Sequence, residues 1–214
     1  MPLDNSSLTD KVTQKLRDAI INLEYLPGEH LTQAIISKKF GVSHIPAREA
    51  LMKLENEGYV KQLPYRGAIV APFSSSELDD ILQIRIVLEQ LVIKEAIINC
   101  NQEVINKLEK SIVKITSTKN PIVLTKAHNE FYNTFFHIPS RPYWMELYQH
   151  SNHRLFRYFG VYLKTTIPSQ MDNVPSYQQI LESIKKNNID KTLELFKERY
   201  IAVIDIIKLG IQSF

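Results

Sequence analysis

The stretch that decides the fold is residues 41–60, which read GVSHIPAREALMKLENEGYV. Ser43 can cap a helix, and Pro46 fits its first turn, where backbone N–H groups have no acceptor within the helix. Gly58 is placed to end that helix. At helical spacing, one side of this helix carries the apolar Ala47, Ala50, Leu51 and Leu54. Another side carries His44, Arg48 and Met52, which lie four residues apart. We expect one side to pack and the other to be available for recognition.

The residues before this helix predict a shorter one. Residues 32–40 are amphipathic and end at Gly41, so a turn built on residues 41–43 joins two short helices. This order is typical of a helix-turn-helix, although ordinary helical bundles contain the same pattern.

Two β-prone runs, residues 59–63 and 68–70, then flank the turn Pro64–Gly67, which carries Arg66. A helix-turn-helix followed by such a hairpin is a winged helix. Upstream, apolar residues at helical spacing predict a first helix of about four turns, namely Val12, Leu16, Ile20 and Leu23. Residues 8–71 are therefore expected to form one compact unit.

Composition narrows the class of protein. The chain has 214 residues, enough for two modest domains, and its formal net charge of +3 requires any DNA binding to be local. The single cysteine excludes an internal disulfide, and the N-terminus has no signal pattern, so we expect a cytoplasmic protein. No apolar run approaches the roughly 18 residues of a membrane span.

The second half of the chain predicts helices only. Helical patterns cover residues 77–99, 102–116, 121–137, 142–164, 175–187 and 189–211. The serine-rich segment before them suggests domains at 1–72 and 73–214. The expected fold class is mainly α, an N-terminal winged helix-turn-helix plus a C-terminal bundle of about six helices.

Enzymatic chemistry has little support, since the chain lacks a phosphate-binding glycine loop, a Gly-x-Ser-x-Gly motif and a cysteine pair. Arg85 and Glu89 lie four residues apart and are interpreted as a structural ion pair. A further polar set on the 142–164 helix is expected to form a solvated or inter-domain face; it contains His150, His153, Arg154 and Arg157.

Several short motifs together resemble the DNA-binding domain of the GntR family of bacterial transcription regulators. They are Leu16–Ile20, Leu26–Glu29, Phe40–Ser43, Arg48–Leu51, Leu54–Glu55, Glu57–Gly58 and Arg66–Gly67. The helical half resembles the effector-binding FCD domain of the FadR branch, beginning at Leu78–Ala96, with Arg85, Leu88 and Glu89 spaced as in that domain.

The resemblance implies a homodimer whose recognition helix enters the major groove of a short palindromic operator, with the wing tip near the minor groove. The residues it assigns to DNA are Thr32, Ser43, His44, Ile45, Pro46, Arg48, Arg66 and Gly67. Arg48 is the first candidate for sequence specificity. The family commonly has Arg-Thr-Pro where this chain has His44–Ile45–Pro46, so a different operator is expected.

The resemblance also implies a divalent-metal site made of one Asp and three His. Ungapped alignment places His128 at the Asp, Tyr132 and Tyr177 at two of the His, and Arg199 at the third. One extra residue in the preceding turn would place Tyr200 there instead. Arginine never deprotonates and tyrosine resists doing so at neutral pH, so we expect no metal cofactor.

The pocket then has two interpretations. In the first, Arg199 replaces the charge of the metal and binds a carboxylate or phosphate of a small-molecule effector, and the phenols and His128 donate hydrogen bonds. In the second, these residues fill a vestigial cavity, and the protein is a constitutive dimeric DNA-binding scaffold. The first interpretation predicts an effector-controlled transcriptional regulator, more often a repressor in this family.

Overall fold

The structure is a computed structural model that describes residues 7–64, 66–118, 120–138, 141–166 and 174–214. Its contacts divide the chain into two units. The first contains the chain up to Ser74 together with His153–Gly160 and Phe214, and the second contains Ser75–Asn152 and Val161–Ser213. The division expected from the sequence, after residue 72, stays a prediction.

The first unit is a winged helix-turn-helix, as predicted. Its elements are α1 (Leu8–Ile21), β1 (His30–Leu31), α2 (Gln33–Phe40), α3 (His44–Asn56), β2 (Val60–Leu63) and β3 (Gly67–Val70). The strands form an antiparallel sheet in the order β1-β3-β2, with Val60 opposite Val70 and His30 opposite Ile69. The sequence did not predict β1, because two residues are too few to show the alternation that marks a strand.

Local capping explains where these helices begin and end. Ser7 and Asp10 form a capping box at the start of α1, and the Thr32 hydroxyl accepts from the Ile35 N–H at the start of α2. Gly41 ends α2 in the left-handed conformation, with φ +65°. Ser43 occupies the N-cap position of α3, as predicted, but its side chain makes no capping hydrogen bond there.

The core of the first unit is formed by the predicted apolar faces of α1 and α3, with α2 and the sheet. Leu16, Leu31, Ile36, Ala50 and Leu54 are all fully buried within it. Burial of these side chains orients α3 so that its opposite face remains at the surface.

The second unit is helical, as predicted. The helices after the winged helix are α4 (Ser75–Ile98), α5 (Gln102–Ser117), α6 (Pro121–Phe136), α7 (Pro142–Phe156), α8 (Phe159–Thr165), α9 (Tyr177–Lys185) and α10 (Ile189–Gly210), followed by a 3-10 turn, Ile211–Ser213. The last four residues of α7 and the first two of α8 belong to the first unit. None of the helices in the described part of the chain is both long and apolar enough to cross a membrane.

The predicted single helix over 142–164 is wrong, because the chain breaks between α7 and α8. At the break the Tyr158 N–H bonds to the Leu155 carbonyl, three residues back. Arg157 is not solvated as one interpretation had it: it is 2% exposed and donates to the Gly58 carbonyl at 3.0 Å, within the first unit. A Cβ on Gly160 would lie 1.9 Å from the Ile21 carbonyl oxygen, so this position requires glycine.

Candidate functional sites

The first candidate site is the outward face of α3. Ala47, Ala50, Leu51 and Leu54 are buried on the inner face, whereas His44, Ile45, Arg48 and Met52 are exposed. The exposed face therefore offers a guanidinium, an imidazole and two apolar side chains. This combination suits the edges of base pairs, which present acceptors and methyl groups.

The acidic residues of α3 and its C-cap are engaged within the first unit. Glu49 accepts from the Thr9 hydroxyl at 2.6 Å, and Glu55 accepts from the Gln62 N–H at 3.0 Å. Glu57 binds Arg17 through both oxygens, at 2.7 and 2.8 Å. Carboxylates that would repel phosphate thus have partners in the protein, and Arg48 is the cation between His44 and Met52.

The remaining predicted DNA-binding residues lie at helix starts and in the wing. Thr32 caps α2, while Ser43 and Pro46 lie at the start of α3. Arg66 is exposed, and Gly67 has φ +81° with little space for a side chain beside the Leu31 carbonyl. The first unit thus contains every predicted DNA-binding residue, on its helix N-termini and its hairpin.

The second candidate site is a cavity of about 670 Å³ in the second unit. Its wall includes five aliphatic side chains, those of Ile112, Ile115, Leu124, Leu163 and Val174. Its polar side chains include His128, Tyr162, Tyr177 and Arg199. The cavity is partly open to solvent, and a concave, mainly apolar space with a few convergent polar groups is the usual form of a small-molecule site.

Arg199 supplies the positive charge of this cavity. Its side chain is 4% exposed, its Nη1 donates to the Pro175 carbonyl at 2.8 Å, and its Cζ lies 3.9 Å from the centre of the Tyr177 ring. Among the described residues, Nε has no hydrogen-bond partner and no carboxylate forms an ion pair with this guanidinium. The buried charge is therefore not neutralised by the described part of the chain.

The groups around Arg199 are neutral. His128 Nδ1 and the Tyr177 hydroxyl are hydrogen-bonded, and burial, with a smaller effect of Arg199, lowers the pKa of His128 to about 3. Burial raises the pKa of Tyr177 well above its usual value, and raises the pKa of Tyr162 as well. The cavity therefore combines one fixed cation with uncharged hydrogen-bonding groups.

The structure separates the two positions between which the sequence left a choice. Arg199 lines the cavity, whereas the Tyr200 hydroxyl accepts from Arg85 at 2.6 Å in a different buried network. Tyr132 lies between them, with its ring centre 6.0 Å from that of Tyr177 and 5.8 Å from that of Tyr200. His128, Tyr177 and Arg199 thus form one site, and Tyr132 stands behind it.

The donor set does not fit the metal site that the family resemblance implies. His128 is its one imidazole and is already bonded to Tyr177, whose raised pKa keeps the phenol protonated. Arg199 adds a cation that would repel a metal ion. Nowhere in the described ranges do three His, Cys, Asp or Glu side chains come together as a potential metal site.

Sequence reasoning missed Tyr162, which lines the cavity. The predicted continuous helix over 142–164 gave this residue no special place. The one sequence signal near the break before Phe159 is Gly160, and a single glycine within a helical pattern does not by itself mark a helix end.

Comparison with known families gives two matches. The family described as "Bacterial regulatory proteins, gntR family" matches residues 8–70, and the FCD domain family matches residues 80–200. These ranges correspond to the winged helix and to most of the helical unit that contains the cavity.

Individual relatives agree with these matches. The chain is 27% identical over 183 residues to YdhC, an uncharacterized HTH-type transcriptional regulator of Bacillus subtilis strain 168, covering 81% of this chain and 79% of that protein. It is 28% identical over 105 residues to the HTH-type transcriptional repressor RspR of Escherichia coli K12, covering 49% and 46% of the two chains. The solved structure of E. coli McbR/YncC has the same fold, with a TM-score of 0.83 over 98% of this chain and 100% of that chain at 20% identity.

Proposed function

Because this chain belongs to the GntR family of bacterial regulatory proteins and carries an FCD domain, it is a transcriptional regulator and not an enzyme, and we propose that it is a repressor controlled by an organic acid or a phosphorylated metabolite. In this proposal a homodimer binds a short palindromic operator through α3 and the wing of each protomer. A ligand bound at Arg199 changes the affinity of the dimer for that operator. The name of RspR as a repressor supports repression over activation.

The exposed face of α3 supports the DNA-binding part of the proposal. Arg48 can donate two hydrogen bonds to O6 and N7 of a guanine in the major groove. The N–H groups at the start of α2 and α3, beside Thr32 and Ser43, favour contact with phosphates. Arg66 lies in the hairpin turn, where a guanidinium suits a phosphate or the minor groove.

We would test this by selecting operator sequences from random duplex DNA with the full-length protein and measuring affinity by fluorescence anisotropy. Arg48→Ala is expected to weaken operator binding by about tenfold to a hundredfold, the usual value of a bidentate guanine contact. The matched control is Lys53→Ala, since Lys53 is a cation of the same helix that pairs with Asp10 at 2.6 Å. Equal losses in the two variants would contradict a base-specific role for Arg48.

The single observation that carries the effector proposal is the buried Arg199 charge beside a cavity, without a carboxylate among the described residues. Buried charges in proteins are normally paired, because removal from water is costly. A bound carboxylate or phosphate would supply the missing counter-charge through the guanidinium. The aliphatic side chains of the wall favour an acid with an apolar body, and the side chains of Tyr162 and Tyr177 line the same cavity.

We would test the effector site by thermal unfolding against a panel of carboxylic acids and phosphorylated metabolites. A ligand at 100 times its dissociation constant should add about 2.7 kcal/mol to the free energy of unfolding. Arg199→Met should abolish this stabilisation, while Lys114→Met, which removes an exposed cation, should retain it. Stabilisation that persists in Arg199→Met would contradict the proposal, and no stabilisation by any compound would favour a constitutive scaffold.

Regulation requires that the ligand distinguish two states of the dimer. A ligand with equal affinity for the DNA-binding and the non-binding state would shift neither. Operator affinity should therefore change when the ligand that stabilises the protein is added, and this change should be absent in Arg199→Met.

A further inference from the structure

The start of α3 carries an apolar side chain that the protein does not use for packing. Ile45 is 71% exposed, the largest value among the large apolar side chains of the described residues. Its neighbours in sequence along the same face, His44 and Arg48, are exposed too. The core of the first unit is made by the opposite side of the helix, so Ile45 contributes little to its stability.

The place of Ile45 in the fold limits what it can contact. It lies in the first turn of the second helix of the helix-turn-helix, and in such helices the N-terminal residues reach the base edges in the major groove. Arg48 is three residues further on, about one helical turn, and projects from the same side. Both side chains would therefore face the same half-site.

The chemistry of Ile45 then selects its partner. An isoleucine side chain has no hydrogen-bond donor or acceptor, so it gains nothing from phosphate oxygens or from the polar edges of bases. The one apolar group that natural base pairs present in the major groove is the 5-methyl of thymine. Replacing water between these two apolar groups is favourable, whereas a cytosine or guanine at this point would lose hydration against isoleucine.

We propose that Ile45 contacts the 5-methyl group of a thymine in each half-site and selects that thymine. This inference rests on the proposed DNA-binding function and names one determinant of the sequence that is read. Hydrogen bonds from His44 or Arg48 cannot detect the methyl group, which neither donates nor accepts. The contact with Ile45 would therefore add a preference for thymine that these two residues do not supply.

The test uses the full-length protein and the operator selected from random duplex DNA. Each thymine of the half-site is replaced in turn by deoxyuridine, which lacks only the methyl group and keeps every hydrogen-bonding group. One replacement should weaken binding of the unmodified protein about threefold to fivefold, the value expected for one buried methyl. Ile45→Ala should bind the thymine and deoxyuridine operators equally.

The matched control is Leu26→Ala, since Leu26 is 48% exposed and precedes β1, outside the recognition helix. This variant should keep the preference for thymine. The inference is overturned if no deoxyuridine replacement weakens binding, or if Ile45→Ala retains the same preference as the unmodified protein. A selection that enriches no sequence would refute the proposed operator reading itself, and with it the role of Ile45.

Discussion

Two arginines in the second unit are almost equally buried but have different surroundings. Arg85 is 1% exposed and has its own carboxylate, with Nη2 at 2.9 Å from Glu89 Oε1. It also donates to Asn152, Tyr148 and Tyr200, at 3.1, 3.2 and 2.6 Å. Arg199, by contrast, has a backbone carbonyl, the Tyr177 ring and the cavity.

The difference in counter-charge indicates which buried arginine of this protein is structural and which can bind a ligand. A guanidinium that is paired with an acid already has its counter-charge, as Arg85 does, even though its Nε, like that of Arg199, has no hydrogen-bond partner among the described residues. A guanidinium beside a cavity and without an acid still needs a counter-charge. The predictions below test whether this distinction between Arg85 and Arg199 is real.

The largest effect is expected for Arg85→Met. Removal of the guanidinium leaves Glu89 buried without its counter-charge, which typically costs about 3–5 kcal/mol of unfolding free energy. Urea denaturation at pH 8 would measure the loss. The double variant Arg85→Met/Glu89→Leu removes both charges and should recover most of the stability; a double variant as unstable as the single one would show that the ion pair is not the cause.

The next effect is the pH dependence caused by His128. Its pKa is about 3 in the folded protein and about 6.5 when unfolded, so its stabilising contribution is complete above pH 6.5 and is lost as pH falls toward 3. The slope below pH 6.5 is up to about 1.4 kcal/mol per pH unit. Between pH 8 and pH 5, the free energy of unfolding of His128→Gln should therefore fall by about 2 kcal/mol less than that of the unmodified protein. Urea denaturation at the two pH values would measure both decreases. Equal decreases would contradict the burial of a neutral His128.

A smaller effect is expected for Arg199→Met without ligand. The substitution removes a buried charge that no described carboxylate compensates, but it also removes the hydrogen bond to the Pro175 carbonyl and the contact with the Tyr177 ring. These effects oppose one another, so the free energy of unfolding should change by no more than about 1 kcal/mol in either direction. The same urea denaturation applies. A loss as large as that of Arg85→Met would show that Arg199 is structural and would remove the distinction between the two sites.

The smallest effect is expected for an exposed cation. Lys114 Nζ lies 2.6 Å from Glu130 Oε2, and both side chains are about half exposed. Lys114→Ala should therefore cost less than about 1 kcal/mol, because water and salt screen such pairs. A larger loss would show that distance rather than burial sets the strength of the ion pairs in this unit.

The sequence predicted well wherever the signal is local. The packed face of α3, the turn at Gly41 and the hairpin are recorded in spacing and in single residues, and the structure confirms them. The Arg85–Glu89 pair is confirmed for the same reason, since four residues separate its members in one helix. In contrast, the two-residue strand β1 and the break before α8 were missed, because two residues are too few to indicate a strand and the single Gly160 is too weak a signal for a break.

The sequence by itself determined the winged helix, the helical second half and the family to which the chain belongs, because periodicity, caps and motifs act over a few residues. Only the tertiary structure decided that Arg157 is buried, that Tyr200 belongs with Arg85, and that Arg199 faces a cavity. The neighbours of Arg199 come from distant points of the chain: His128 from α6, Pro175 from before α9, and Tyr177 from its first turn. Burial and the presence of a counter-charge depend on such non-local packing, which no short-range pattern encodes.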